Sequence, residues 1–180
     1  MSTRLGSSVI QTRAEPPGSV GHGESWPPGP IAGPLRRACS QGAPATLILL
    51  DLDWFGEINE IHGDAVGDAL LHQVRDRLAE CLGPEDAVAR LYDDEFAIVR
   101  VGGDGLASAV RTAQAVLAAV ERPFDVLGRT VRLSASLGVA VFPLHAEDPV
   151  ALFGLALHAM LRAKYAGRGM YEVARPRSRW

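Results

Sequence analysis

Residues 45–51, Ala-Thr-Leu-Ile-Leu-Leu-Asp, form a continuous apolar run that stops on a carboxylate. Such a run is far short of the roughly 18–20 residues that cross a bilayer. It is short and β-prone, and it has no polar face, so it reads as a buried central strand. A chain organised on such a strand must cover it with other elements. The pattern downstream supplies them.

Residues 65–82 place Leu70, Leu71, Val74, Leu78, Cys81 and Leu82 at helical spacing, and Gly83-Pro84 ends the run. A hairpin follows, with strands over 87–91 and 95–101 and a turn at Tyr92-Asp93. Residues 105–121 read as a second amphipathic helix, stopped before Pro123. A strand over 130–142 alternates Val131, Leu133, Ala135, Leu137, Val139 and Val141 on one face. Residues 148–166 read as an apolar helix, and Met170–Val173 as a short closing strand. Asp53 is expected to cap a short helix over 54–62. The order β-α-α-β-β-α-β-α-β predicts an α/β fold, a mostly antiparallel sheet around an inner hairpin with helices packed over it.

The first 44 residues differ. They hold seven Pro and seven Gly, including Pro16-Pro17-Gly18 and Pro27-Pro28-Gly29-Pro30. The expectation is a disordered tail over 1–44, carrying at most a short helix around Leu35–Ser40. One domain over 45–173 and a C-terminal tail over 174–180 complete the division. The net charge of −3 lacks the basic excess of a nucleic-acid binder. No apolar stretch suits membrane insertion or a secretory signal. The two cysteines, Cys39 and Cys81, form no disulfide framework. A cytoplasmic location is the expectation.

Two acidic groups fall at one end of the predicted sheet: Asp51 and Asp53 after the first strand, and Asp93, Asp94 and Glu95 at the hairpin turn. If those strands are neighbours, several carboxylates converge. Hard oxygen donors so placed are what Mg²⁺ binding beside a phosphate requires. Turn carboxylates are also common as caps and solvated charges, and spacing alone does not separate the two.

The residues then resemble a family. Leu49-Leu50-Asp51-Leu52-Asp53-Trp54-Phe55, Ile58-Asn59, Gly63 to Leu71 and Ala89-Arg90-Leu91-Tyr92-Asp93-Asp94-Glu95-Phe96 look like the GGDEF domain of diguanylate cyclases. Ser136 to Ala140 and Ala163 to Arg168 are similar to its later blocks. The resemblance implies that Asp51, Asp94 and the carbonyl of Leu52 bind Mg²⁺. It implies that Glu95, with Asp94, serves catalysis by helping to activate a 3′-hydroxyl. It assigns Asn59 and Asp68 to the guanine of GTP, and Lys164 and Arg168 to its triphosphate. Those types suit the work: a carboxylate accepts from guanine N–H groups, and ammonium and guanidinium suit phosphate. Read without the family, Asp68 is a helix N-terminal cap, and Lys164 and Arg168 answer a helix C-terminal dipole.

The chain also departs from the family. Tyr92-Asp93 replaces the signature Gly-Gly, where positive φ would cost a tyrosine about 1–2 kcal/mol. The turn is therefore expected to relax, with Tyr92 intruding on the nucleotide's space and Asp93 adding charge against a triphosphate. Gly56 stands where the family carries a Lys or Arg, and Leu157 where it carries an Asp. The family's inhibitory Arg-x-x-Asp is here Gly83-Pro84-Glu85-Asp86, without the guanidinium that product binding needs. The Leu-Thr-Gly-Leu-x-Asn-Arg element that normally precedes the domain is absent. The expected reading is a degenerate cyclase of cyclic di-GMP signalling. It would retain GTP and Mg²⁺ binding, have little or no activity, and act as a regulator through a protein partner or a homodimer. The alternatives are an active cyclase that joins two GTP into cyclic di-GMP, and an interaction module that binds no nucleotide.

Overall fold

A computed structural model describes residues 29–175, and its framework is the predicted apolar run. Strand β1 (Ala45–Asp53) is buried at all nine positions. It lies between β3 (Glu95–Val101) and β6 (Ser134–Phe142), antiparallel to both. The edge strands are β2 (Ala87–Tyr92), antiparallel to β3, and β7 (Met170–Val173), parallel to β6. The sheet order is β2-β3-β1-β6-β7, a mixed α/β fold with a mostly antiparallel five-stranded sheet.

Side chains alternate across β1 and divide the core in two. Ile48, Leu50 and Leu52 pack with α2 (Phe55–His62), α3 (Asp64–Glu80) and α4 (Leu106–Glu121). Leu47 and Leu49 pack with α1 (Gly29–Ser40) and α5 (Pro149–Ala166). Continuing that alternation, Asp51 and Asp53 belong to the α5 face at the end of the strand. Helix α5 comes very close to the sheet at Gly138, where a Cβ would overlap the backbone of Ala156 and Met160. The contact sets the depth at which the last turn of α5, with Lys164, meets β1.

Four expectations need correction. Residues 29–40 are not part of a disordered tail but form α1, with Ile31, Ala32, Leu35 and Ala38 almost fully buried. Pro34 withholds one helical hydrogen bond. Burying Ile31 and Leu35, at about 1.5–3 kcal/mol each, offsets it. The rest of the expected tail, residues 1–28, lies outside the described residues, as do 176–180. Ala174, assigned to the C-terminal tail, is buried and donates its N–H to the Val139 carbonyl at 2.7 Å.

The strand expected over 130–142 is two strands. Register with β1 ends at Asp53 opposite Ser134, so the chain before Ser134 has no partner there. Instead β5 (Arg129–Val131) pairs with β4 (Phe124–Val126), an unpredicted hairpin. Its turn, Leu127-Gly128, has φ of 48° and 77°, positive at both positions as a two-residue hairpin of the I′ type requires. The alternation itself holds: Val131, Leu133, Ala135, Leu137, Val139 and Val141 all pack on the α2–α4 side.

Finally, Asp53 caps nothing. Trp54 precedes α2 in the left-handed region (φ 62°), with no side-chain cap. The Asp53 carboxylate accepts from Ser134 Oγ and Ser136 Oγ, both at 2.7 Å, and from Gly169 N at 3.0 Å. Among the described residues no helix is long and apolar enough to cross a membrane.

Candidate functional site

The C-terminal end of β1 and the β2–β3 turn meet, because Asp51 is the register partner of Glu95. Leu52 N donates to the Asp94 carbonyl at 3.2 Å, which ties the turn to the strand end. In an extended residue N–H and C=O point the same way, so the Leu52 carbonyl faces the hairpin too. Asp51, Leu52, Asp94 and Glu95 are thus brought to one edge. Asp51 is buried, and Asp94 and Glu95 are half-buried.

The cluster is electrostatically unfavourable. Burial pushes the Asp51, Asp94 and Glu95 carboxyls above their usual range, and neighbouring carboxylates, Asp93 and Asp53 included, push the same way. Lys164 Nζ lies 2.6 Å from Asp51 Oδ2 and opposes that shift without cancelling it. The donor set is hard oxygen throughout and short of positive charge, which suits Mg²⁺. Among the described residues no three His, Cys, Asp or Glu side chains are grouped as a ready metal cage. A Mg²⁺ ion here would take Asp51, Asp94 and the Leu52 carbonyl and complete its shell with water or phosphate oxygens.

The hairpin turn has relaxed as expected. Positive φ among described non-glycine residues occurs at Trp54, Leu127 and Arg168, and neither Tyr92 nor Asp93 is among them. The register shifts between Arg90 and Tyr92, and Arg90 Nε donates to the Asp93 carbonyl at 2.8 Å. Tyr92 packs against the apolar cluster under α5, while Asp93 is exposed.

The two cations assigned to phosphate are both turned onto β1. Lys164 pairs with Asp51 as above. The Arg168 guanidinium stacks over the Trp54 ring at 4.2 Å, with its Nε 4.0 Å from Asp53. Arg168, like Trp54, holds a left-handed backbone (φ 64°). Such strain persists only where surroundings over-determine it. Sequence reasoning passed over Trp54, and its place after Asp-x-Asp was the available signal.

Asn59 and Asp68 come from the other layer, on α2 and α3. Asn59 Oδ1 is buried with no hydrogen-bond partner. It packs so tightly against α3 that a Cβ at Gly67 would overlap it. An orphaned buried carbonyl costs roughly 1–3 kcal/mol, and a ligand N–H donor would relieve it. Asp68 is exposed, and its carbonyl is the hydrogen-bond partner of His72 Nδ1 at 2.7 Å. An open cleft of about 530 Å³ flanks Trp54, between Glu57, Ile61 and Arg132, and none of Asp51, Asp94 or Glu95 lines it. Asp86, the remnant of the inhibitory motif, is committed to structure: it accepts from Gly83 N at 2.9 Å and Arg100 Nε at 2.8 Å.

Comparison with known proteins agrees with this frame. The family model for the diguanylate cyclase GGDEF domain matches residues 31–170, and the chain belongs to that family. Diguanylate cyclase TpbB of Pseudomonas aeruginosa is 35% identical over 147 residues, covering 81% of this chain and 34% of that protein. The cyclic di-GMP phosphodiesterase PdeR of Escherichia coli is 33% identical over 130 residues, covering 72% and 20%. The chain therefore spans about a third or less of these relatives. The crystal structure of the TpbB GGDEF domain matches with a TM-score of 0.76 at 34% identity, covering 82% of this chain and 92% of that one. The active GGEEF domain of a Vibrio cholerae diguanylate cyclase, at 20% identity and a TM-score of 0.72, shares the fold over 82% of this chain and 93% of its own.

Proposed function

We propose that this chain is a domain of cyclic di-GMP signalling that binds GTP with Mg²⁺ and turns it over little or not at all. It acts as a regulator by contact with another protein or a second copy of itself. The observation that carries this reading is the hairpin turn. Tyr92 and Asp93 lie outside the left-handed region, Tyr92 packs under α5, and Asp93 adds a fourth carboxylate where phosphate charge would need neutralising. Asp51, Asp94 and the Leu52 carbonyl would hold the ion, which when bound would neutralise phosphate charge. Asn59, with its unpartnered Oδ1, and Asp68 would take the guanine. Lys164 would release Asp51 to reach a phosphate, and Arg168 would leave Trp54.

A second reading, an active cyclase, is favoured by Glu95. Burial raises its proton affinity, which suits a group that accepts a hydroxyl proton. The name of PdeR shows that similarity of this degree does not by itself imply cyclase activity.

Calorimetric titration with GTP and Mg²⁺, followed by product analysis of the same sample, decides. Binding without cyclic di-GMP is the expected result. Binding with turnover supports the second reading, and no binding leaves a non-nucleotide interaction module. A Tyr92→Gly, Asp93→Gly, Gly56→Lys variant should gain detectable cyclic di-GMP at high protein concentration, since one well-aimed group is worth about 10²–10³-fold in rate. Gly56 tolerates a side chain, because a Cβ there meets nothing within 4 Å.

A further inference from the structure

Behind the acidic edge, a slot of about 260 Å³ opens between the β2–β3 hairpin and α5. Leu91, Tyr92, Phe153, Leu157 and Met160 line it, and Glu95 stands in its wall. The Tyr92 phenol and the Glu95 carboxylate are the polar side-chain groups among its lining residues. Leu91, Phe153 and Met160 are at most 3% exposed, so the walls belong to the packed core rather than to a loop. An apolar cavity of about 150 Å³ is enough to bind benzene, and this one has room for a ring with a short chain.

Charge selects what that chain must carry. Glu95 is the carboxylate in the slot's lining, and its register partner Asp51 and chain neighbour Asp94 add negative charge beside it. Lys164 faces them already paired with Asp51. An anionic ligand would meet like charge, and a neutral one would leave Glu95 without a partner. We propose that the slot is a binding site for a compact aryl- or alkylamine, its apolar body under Tyr92 and Leu157 and its ammonium on Glu95. This site needs neither nucleotide nor metal and does not rest on the GTP reading.

The test titrates the protein with 2-phenylethylamine, 2-phenylethanol and 3-phenylpropanoate at millimolar concentration, followed by NMR shifts and thermal melting. The amine should bind about fivefold or more tighter than the alcohol, one ion-pair's worth of selectivity. The carboxylate should not bind. Glu95→Gln should erase the difference between amine and alcohol, and Leu157→Trp, which fills the slot, should abolish both. If Leu157→Trp does not fold, Tyr92→Gly removes a wall instead and should weaken both ligands about tenfold. Failure of the amine to bind wild type overturns the proposal. So does binding that neither slot variant weakens, or equal binding of the carboxylate. GTP with Mg²⁺ is titrated into the same samples: loss of that signal alone counts against the functional reading, and loss of the amine signal alone against the slot.

Discussion

Asp51 and Asp53 stand two residues apart on one face of one strand, and both are almost fully buried, 4% and 3% exposed. Their surroundings are opposite. Asp53 accepts from two hydroxyls and a backbone N–H, neutral donors aimed at it from β6 and from the turn after α5, with the Arg168 Nε farther off at 4.0 Å. Asp51 is met by one lysine, with Asp94 and its register partner Glu95 bringing like charge beside it. A buried carboxylate with its lone pairs satisfied holds a fold together. A buried carboxylate facing like charge is a standing cost, and folds tolerate such costs where a ligand lifts them.

The sharpest way to break this comparison is to delete each carboxylate in turn. Asp53→Ala strands two hydroxyls and an amide, and should cost about 3–5 kcal/mol in urea denaturation. Asp51→Ala removes one member of a repelling set and leaves Lys164 near solvent. It should shift stability by no more than about 1 kcal/mol. Equal losses would mean that the two sites do the same job.

Next in size is the response to metal. Asp94→Asn should raise the melting temperature of the free protein by a few degrees, about 1 kcal/mol for a chain of this length. In return it should lose the stabilisation by GTP with Mg²⁺ that wild type shows in the same melting assay. A variant that is less stable and still responds to Mg²⁺ would place the ion elsewhere.

The pH dependence of stability gives smaller effects of opposite sign. The carboxyls of Asp51, Asp94 and Glu95 have folded values above their unfolded ones. Their contribution is fully present below about pH 4 and is lost as pH rises through the folded values. Glu95→Gln should flatten that decline.

His145 runs the other way. It is buried, accepts from Val141 N at 2.8 Å, and burial lowers its imidazole from 6.5. Its contribution is present above pH 6.5 and is lost as pH falls through the folded value. His145→Gln should remove that slope alone, read as the change in denaturation midpoint from pH 7 to pH 5.

The two aspartates also show how far the sequence could be read. Strand β1 was legible because an unbroken apolar run has one stable use, and the acidic edge followed from where that run and the hairpin end. Asp53 was misread as a cap. An aspartate before a helix is a strong local signal, whereas its true partners Ser134 and Ser136 lie more than 80 residues away. Helix α1 was hidden by composition. Gly29, Pro30, Gly33 and Pro34 argue against a helix locally, and what overrides them is burial of Ile31 and Leu35 against strands that come later. The slot could not be read at all, because it exists only once α5 packs beside the hairpin.

The Asp53 carboxylate has a consequence in time as well as in energy. It joins β1, β6 and the turn at Gly169, and Arg168 sits within that turn. A surface turn would ordinarily rearrange in nanoseconds to microseconds. This one can open only by breaking bonds to a buried group, so its opening belongs with partial unfolding of the sheet end. The Gly169 amide should therefore exchange with solvent as slowly as those of β6. Arg168, tethered beside it, can swing its guanidinium quickly, but its backbone keeps the slow clock of the core.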